Sequence, residues 1–167
     1  MLLPNYSDAF LAAVGQVLDH EGKYSNDPGD AGGETKFGIS SRQYPHLDIA
    51  SLTRDEAIAI YWRDYWLKFH FDRLPAIIAE KVFDLAVVVG SVNAVRCLQS
   101  APRACGGYQI ARDGVIGQQT SAMAEQFDPK VLLVAIRCEA ASMFRLIAER
   151  SPMKQKFLEG WLNRAYA

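Results

Sequence analysis

The chain has 167 residues, half of them hydrophobic, with a formal net charge of −1. That is enough apolar material for a core and fits one compact domain or two small lobes, and it excludes an overall field that would draw the chain to nucleic acid. Three cysteines, Cys97, Cys105 and Cys138, are too few and odd in number for a disulfide framework. The charge is uneven: residues 1–90 carry 8 Lys+Arg against 13 Asp+Glu, and residues 91–167 carry 10 against 6, so a basic second half could lean on an anionic polymer. Ordinary charge scatter reads equally well.

The N-terminal Met1-Leu2-Leu3-Pro4-Asn5 has neither a basic region nor a long apolar core, and no run approaches a membrane span. The expectation is synthesis in the cytoplasm without a signal peptide.

From Ser7, a plausible N-cap, apolar residues at Phe10, Val14, Val17 and Leu18 follow one helical face as far as Asp19. Glu21 lies three helical turns after Phe10 and falls on that same face as the helix ends at Gly22. Partial burial and the negative end of the helix dipole should both raise its pKa, which suits a general acid. The following loop holds five of the twelve glycines together with Asp27, Asp30, Glu34 and Thr35. Reverse turns over residues 26–30 and 30–33 would fold residues 24–37 into a small hairpin beside Glu21. By composition alone the stretch reads equally as a solvated surface loop.

Residues 39–44 suit a short helical turn stopped by Pro45. Thr53-x-x-Glu56 is a capping box opening a helix in which Ala57, Ile58, Tyr61, Trp62, Tyr65, Trp66 and Phe69 form one apolar stripe, better read as core than as a sugar platform. After a turn at 71–73, a helix from Leu74 to Val89 is apolar on nearly every side, as a central buried helix would be. Asp84 within it calls for a salt-bridge partner. Gly90-Ser91 marks the lobe boundary, dividing residues 1–90 from 91–167 without a flexible linker, packed as one compact body.

A helix from Val92 to about Ala101 follows, then an irregular stretch over 103–117 with turn signals at Gly106-Gly107 and Asp113-Gly114. A brief helix covers 120–127. Asp128-Pro129 caps a long one to Arg150 with Leu132, Ala135, Ile136, Met143, Leu146 and Ile147 inward, and Glu139, on the same stripe, suits a buried pairing with an arginine. A last helix offers Phe157, Leu158, Trp161 and Leu162 as core anchors. Cys97 and Cys138, set within apolar helices, read as inert core cysteines.

Several chemistries drop out. His20-Glu21 begins a zinc-protease motif, but its fifth position is Tyr24. The acidic loop lacks calcium-loop spacing, and no phosphate-binding loop or serine nucleophile elbow occurs. Neither a metal nor another cofactor is expected. His46 and His70 read as surface or capping groups.

The run Glu21 to Ser40, E-G-K-Y-S-N-D-P-G-D-A-G-G-E-T-K-F-G-I-S, closely resembles the opening signature of the glycoside hydrolase family 108 muramidases. Further matches follow in family order: Leu52-Thr53-x-x-Glu56-Ala57, Tyr61-x4-Trp66, Leu74-Pro75, Phe83-Asp84-x-Ala86-Val87-x-x-Gly90, Leu98-Gln99-x-Ala101, Asp113-Gly114-x-Ile116-Gly117 and Phe157-x-x-Gly160-Trp161-x-x-Arg164. The resemblance implies a mainly α, lysozyme-like helical fold with one small β-hairpin. It also implies an enzyme of phage or prophage type that cuts peptidoglycan glycan strands, with a C-terminal helical part similar to a peptidoglycan-binding module.

The family's acid position is Glu21. Acid, carboxylate nine residues on and then threonine also resembles the Glu-Asp-Thr set of phage-type lysozymes, which implies Asp30 and Thr35 as holders of the attacking water, the threonine standing one residue early. Asp27 or Glu34 could replace Asp30. Tyr24, Asn26, Asp27, Phe37 and Asp84 complete the expected substrate-binding set. Two departures stand out: Lys23 where a second glycine is usual, and Val88 where asparagine is common.

The implied partner is the glycan strand, met after release by lysis or through a holin or other separate pore. The contrasting expectation is a non-catalytic wall-binding or interaction protein on the same scaffold.

Overall fold

The computed structural model describes residues 5–21, 24–26, 33–106 and 109–167, with only the backbone of His20 and Glu21. Among them are seven α-helices and one two-stranded antiparallel sheet, a mainly α, lysozyme-like fold. The chain divides into two compact units, Met1–Phe69 and His70–Ala167. No helix of the described residues is long and apolar enough to cross a membrane.

In the first unit, α1 (Asp8–Glu21) starts where the Ser7 hydroxyl accepts the Phe10 N–H at 3.3 Å. Its apolar line is buried at Phe10, Ala13, Val14, Val17 and Leu18. The Phe10 ring meets Trp62 and Trp66 edge-on at 4.8 and 5.4 Å, so α1 is anchored by aromatic packing.

The sheet pairs β1 (Thr35–Lys36) with β2 (Ile39–Ser40), Thr35 opposite Ser40 and Lys36 opposite Ile39. Its two turn residues, Phe37 and Gly38, have φ of 54° and 75°, the sign a type I′ hairpin turn demands. The structure therefore places the paired strands around Phe37-Gly38, later than the expected 24–37 hairpin, and it takes Ile39 and Ser40 out of the expected helical turn. Ile39 is wholly buried, which fixes the register of this very short ladder. An isolated bridge between Ser25 and Thr35 still folds the start of the loop back onto β1.

Helix α2 (Arg54–Tyr61) opens on the expected capping box: Glu56 N–H donates to the Thr53 hydroxyl at 3.3 Å, and Thr53 N–H to the Glu56 carboxylate at 2.8 Å. It then widens into a π-helical segment, Trp62–Leu67, which a sequence period of 3.6 cannot foretell. Tyr61 and Trp66 are buried as core residues, while Trp62, Tyr65 and Phe69 are only half-buried.

The second unit begins with a 3₁₀ turn, Phe71–Arg73, and α3 (Ala76–Val89), buried continuously from Lys81 to Ala86. It packs on α4 (Ser91–Ser100) and α6 (Pro129–Arg150); α5 (Gln118–Gln126) and α7 (Leu158–Tyr166) also pack on α6. The Asp128 carboxylate caps α6, accepting from Lys130 N–H at 2.8 Å and Val131 N–H at 3.2 Å.

Along α6 one buried line runs Leu132, Ile136, Ala140, Phe144, Ala148. That line uses alanines for close helix approach, so Leu146, expected inward, is half exposed, and Met143 and Ile147 are half-buried. Glu139 is half-buried and forms no ion pair among the described residues, contrary to the arginine pairing expected of it. Phe157, expected in the core, is 48% exposed: it precedes α7 and packs against Trp161, which stacks on Phe144 at 5.3 Å. Cys97 is buried, its thiol pushed up to about 11 by burial, whereas Cys138 lies on the exposed side of α6 and is no core residue.

Candidate active site

The backbone of α1 ends at Glu21, where the sequence places the acid. The side chain of Glu21 lies outside the described residues, as do Lys23, Asp27 and Asp30. What the structure gives is the frame around them. Ser25, four residues beyond Glu21, exchanges both backbone hydrogen bonds with Thr35, N–H to C=O at 2.9 Å one way and 2.8 Å the other. The loop between them is thereby closed at its base, and Thr35 is tied to the chain leaving the α1 terminus.

The side chains on this frame have distinct duties. The Thr35 hydroxyl donates to the Gly33 carbonyl at 3.1 Å, so its proton is committed while its lone pairs can still accept. Tyr24 is about half exposed, and its hydroxyl donates to the Glu34 carboxylate at 2.6 Å. That bond, foremost, holds the Tyr24 pKa above the ordinary tyrosine value, and it occupies one oxygen of Glu34, the substitute considered for Asp30. Asn26 is exposed beside the Ser25 bridge.

Phe37 is the strained member of the expected set. A bulky residue at φ 54° costs about 1–2 kcal/mol relative to ordinary backbone and persists only where neighbours fix it. The neighbours here are identifiable: the buried Tyr61 donates its hydroxyl to the Phe37 carbonyl at 2.9 Å, and Lys36 reaches the Ala50 carbonyl at 2.7 Å with its ammonium 5.6 Å from the Phe37 ring. Tyr61 was legible only as an apolar core residue, and its polar tip is what sequence reasoning missed. The one signal available was its tyrosine identity inside an otherwise apolar stripe.

Next in the same unit, Tyr44 donates to Asp64 at 3.0 Å, and Asp64 is held by Arg63 through two bonds of 2.7 Å. Arg63 holds the Asp64 carboxyl below its usual range. Burial, then the bond to Asp64, pushes the Tyr44 hydroxyl well above the usual tyrosine value.

Asp84, expected to bind substrate, is instead committed inside the second unit. Its carboxylate accepts from Arg164 at 2.8 Å and lies 3.7 Å from the Lys81 ammonium, all three side chains nearly buried. This is the salt bridge that its place on an apolar helix demanded. Burial, above all, lowers the Lys81 pKa.

A second polar construction explains two of the sequence motifs. The Gln99 amide, buried on α4, donates to the Asp113 carboxylate at 2.7 Å and accepts the Gly114 N–H at 2.9 Å. Its nitrogen also lies 3.1 Å from both the Val115 carbonyl and the Thr120 hydroxyl. Gly114, at φ 80°, could not carry a side chain, since a Cβ would stand 2.6 Å from Val92. Leu98-Gln99 and Asp113-Gly114 are thus the two halves of one clasp.

Residues 14–90 match the sequence model for glycosyl hydrolase 108, and residues 93–166 match the one described as "Predicted Peptidoglycan domain". Among solved structures the chain is similar to SagA of Brucella abortus, at 28% identity and a TM-score of 0.75, over 94% of this chain and 89% of that one. No curated protein matches it at a significant level.

Proposed function

From the match of residues 14–90 to the glycosyl hydrolase 108 model and of residues 93–166 to a predicted peptidoglycan domain, we propose that the protein is a muramidase. It would cleave the bond between N-acetylmuramic acid and N-acetylglucosamine, with Glu21 as the general acid. The observation that carries this reading is the Ser25–Thr35 bridge four residues beyond the end of α1, which ties the terminus holding Glu21 to the strand holding Thr35.

The chemistry follows from that arrangement. A glycosidic oxygen leaves well only when protonated, and helical spacing sets Glu21 on the face of Phe10, Val14 and Val17 at the C-terminal end of α1, where the helix dipole would favour the protonated acid. Asp30 and Thr35 would hold the attacking water on the opposite face of the sugar, an inverting arrangement in which carboxyls stand about 6.5–9.5 Å apart. Tyr24, Asn26, Asp27 and Phe37 would serve as sugar contacts, with Asp27 or Glu34 the alternative to Asp30 as base. Asp84 serves the fold. The lobe boundary is proposed near Gly90, whereas the compact units part between Phe69 and His70; access to the wall would follow lysis or passage through a separate pore.

The opposing reading, a wall binder without catalysis, draws on the two departures, Lys23 near the acid and Val88 in place of an amide at the end of α3. Turbidity of a cell-wall suspension separates the two: the muramidase clears it, and mass spectra of the fragments show muramic acid at the reducing end. An unchanged suspension would leave the binder, and free peptides would indicate a peptidase. Within the enzyme, Asp30→Asn should slow clearing by about 10²-fold or more while Asp27→Asn leaves most of the rate. The reverse pattern would move the base to Asp27.

A further inference from the structure

Helix α2 passes at Tyr61 into the π-helical segment Trp62–Leu67, a form that occurs mostly as single turns and often at functional sites. In an α-helix, side chains five residues apart point about 140° from one another. A π turn closes after five residues, so it draws Tyr61 and Trp66 toward one side, and both are buried.

Each of the two holds a different part of the frame around the site. Trp66 meets the Phe10 ring of α1 edge-on at 5.4 Å, with Trp62 on the same ring at 4.8 Å, and α1 is the helix that ends at Glu21. Tyr61 donates its hydroxyl to the Phe37 carbonyl at 2.9 Å, at the positive-φ turn two residues after Thr35. One π turn therefore grips both the helix leading to the acid and the strand carrying Thr35. A phenylalanine at 61 would serve the packing; the hydroxyl is what reaches the turn.

We propose that Tyr61 is a positioning residue for glycosidic cleavage: through the Phe37 carbonyl it sets Thr35 against the end of α1, so that the attacking water is held in line. The assignment rests on the muramidase reading, and Tyr61 itself touches no substrate. Its leverage comes from the strain at Phe37. Without the bond, the turn can relax toward ordinary backbone, and because β1 is only Thr35–Lys36 the shift reaches Thr35 directly. A small misplacement of the water costs rate more than binding.

The test compares Tyr61→Phe with its parent on soluble peptidoglycan strands, counting new reducing ends, beside amide hydrogen exchange. The turnover number kcat should fall about tenfold, the loss of one hydrogen bond, while KM stays within about twofold and the helical spectrum is the parent's. Exchange should quicken at the Ser25 and Thr35 N–H groups, which pair with each other's carbonyls, and stay as it was at Ala57 in α2. Tyr65→Phe, on the same segment but bonded to Gln43 at 3.1 Å, should leave kcat within about twofold. Because Tyr61 acts through Thr35, Thr35→Val and the double variant Thr35→Val/Tyr61→Phe should be equally slow. Losses that multiply, or a folded Tyr61→Phe chain that is less stable yet turns over at the parent's kcat, would overturn the assignment. Failure of the muramidase reading looks different: the parent would release no reducing ends while exchange at Ser25 and Thr35 still quickened.

Discussion

The two units each carry one glycine-bearing irregular stretch, and they hold it in opposite ways. In the second unit the Asp113-Gly114 turn is clasped from inside by the buried Gln99 amide, and Asp84, Arg164 and Lys81 likewise satisfy one another within the interior. In the first unit the Phe37-Gly38 turn is held chiefly through its backbone, by the Ser25–Thr35 bridge and the Tyr61 hydroxyl, and the neighbouring side chains Tyr24 and Asn26 remain exposed. Polar groups spent on the interior build a fold. Polar groups left outward on a fixed backbone are free to meet a substrate. The difference gives one loop an interior, structural part and leaves outward polar groups on the other, although both look alike as sequence.

The contrast breaks first at Asp84. If its carboxylate serves the interior, Asp84→Ala leaves two cations buried without a counter-ion and should cost about 3–5 kcal/mol in denaturant unfolding. A loss under about 1 kcal/mol would return Asp84 to the substrate side. Gln99→Ala should cost less, about 2–3 kcal/mol, because it strands the Gly114 N–H and opens the clasp without exposing a charge. Its unfolding should be measured beside Asn26→Ala, which should stay within about 0.5 kcal/mol as an exposed position does.

The smallest effect concerns pH. Because the folded Tyr44 has a raised pKa, its contribution is complete below the ordinary tyrosine value of about 10 and is lost as pH climbs above it, when the unfolded chain gains by ionising first. Tyr24 and Tyr65 are shifted the same way, while Lys81, shifted down, pulls stability upward over part of the alkaline range. Tyr44→Phe should therefore make the alkaline fall in stability shallower, at a neutral-pH cost of about 0.5–1.5 kcal/mol for the lost bond to Asp64. An unchanged alkaline limb would show that Tyr44 is not held this way.

What could be read in advance followed the range of the interaction. Ser7, the Thr53–Glu56 box and Asp128 were legible because a cap and its helix lie within three residues of one another. Asp84 announced a need for a partner, but Arg164 stands 80 residues away and nothing local names it. The π-helical turn at Trp62–Leu67 has no periodic signature of its own, and on α6 the eye follows Leu146 while the packing follows Ala140 and Ala148. In the site, helical spacing was enough to set Glu21 at the end of α1, and it could not show that Thr35 pairs with Ser25 or that Tyr61 holds the turn at Phe37. Those contacts depend on chain segments brought together only by the fold.

The central claim is that the end of α1 supplies the proton that breaks the glycosidic bond. Glu21→Gln keeps the size and shape of the side chain and removes that proton, so the variant and its parent should be compared for clearing of a purified wall suspension at equal folded concentration. The account predicts a fall of at least about 10²-fold in rate with unfolding behaviour unchanged. A folded Gln variant that clears the wall at the parent's rate would contradict it.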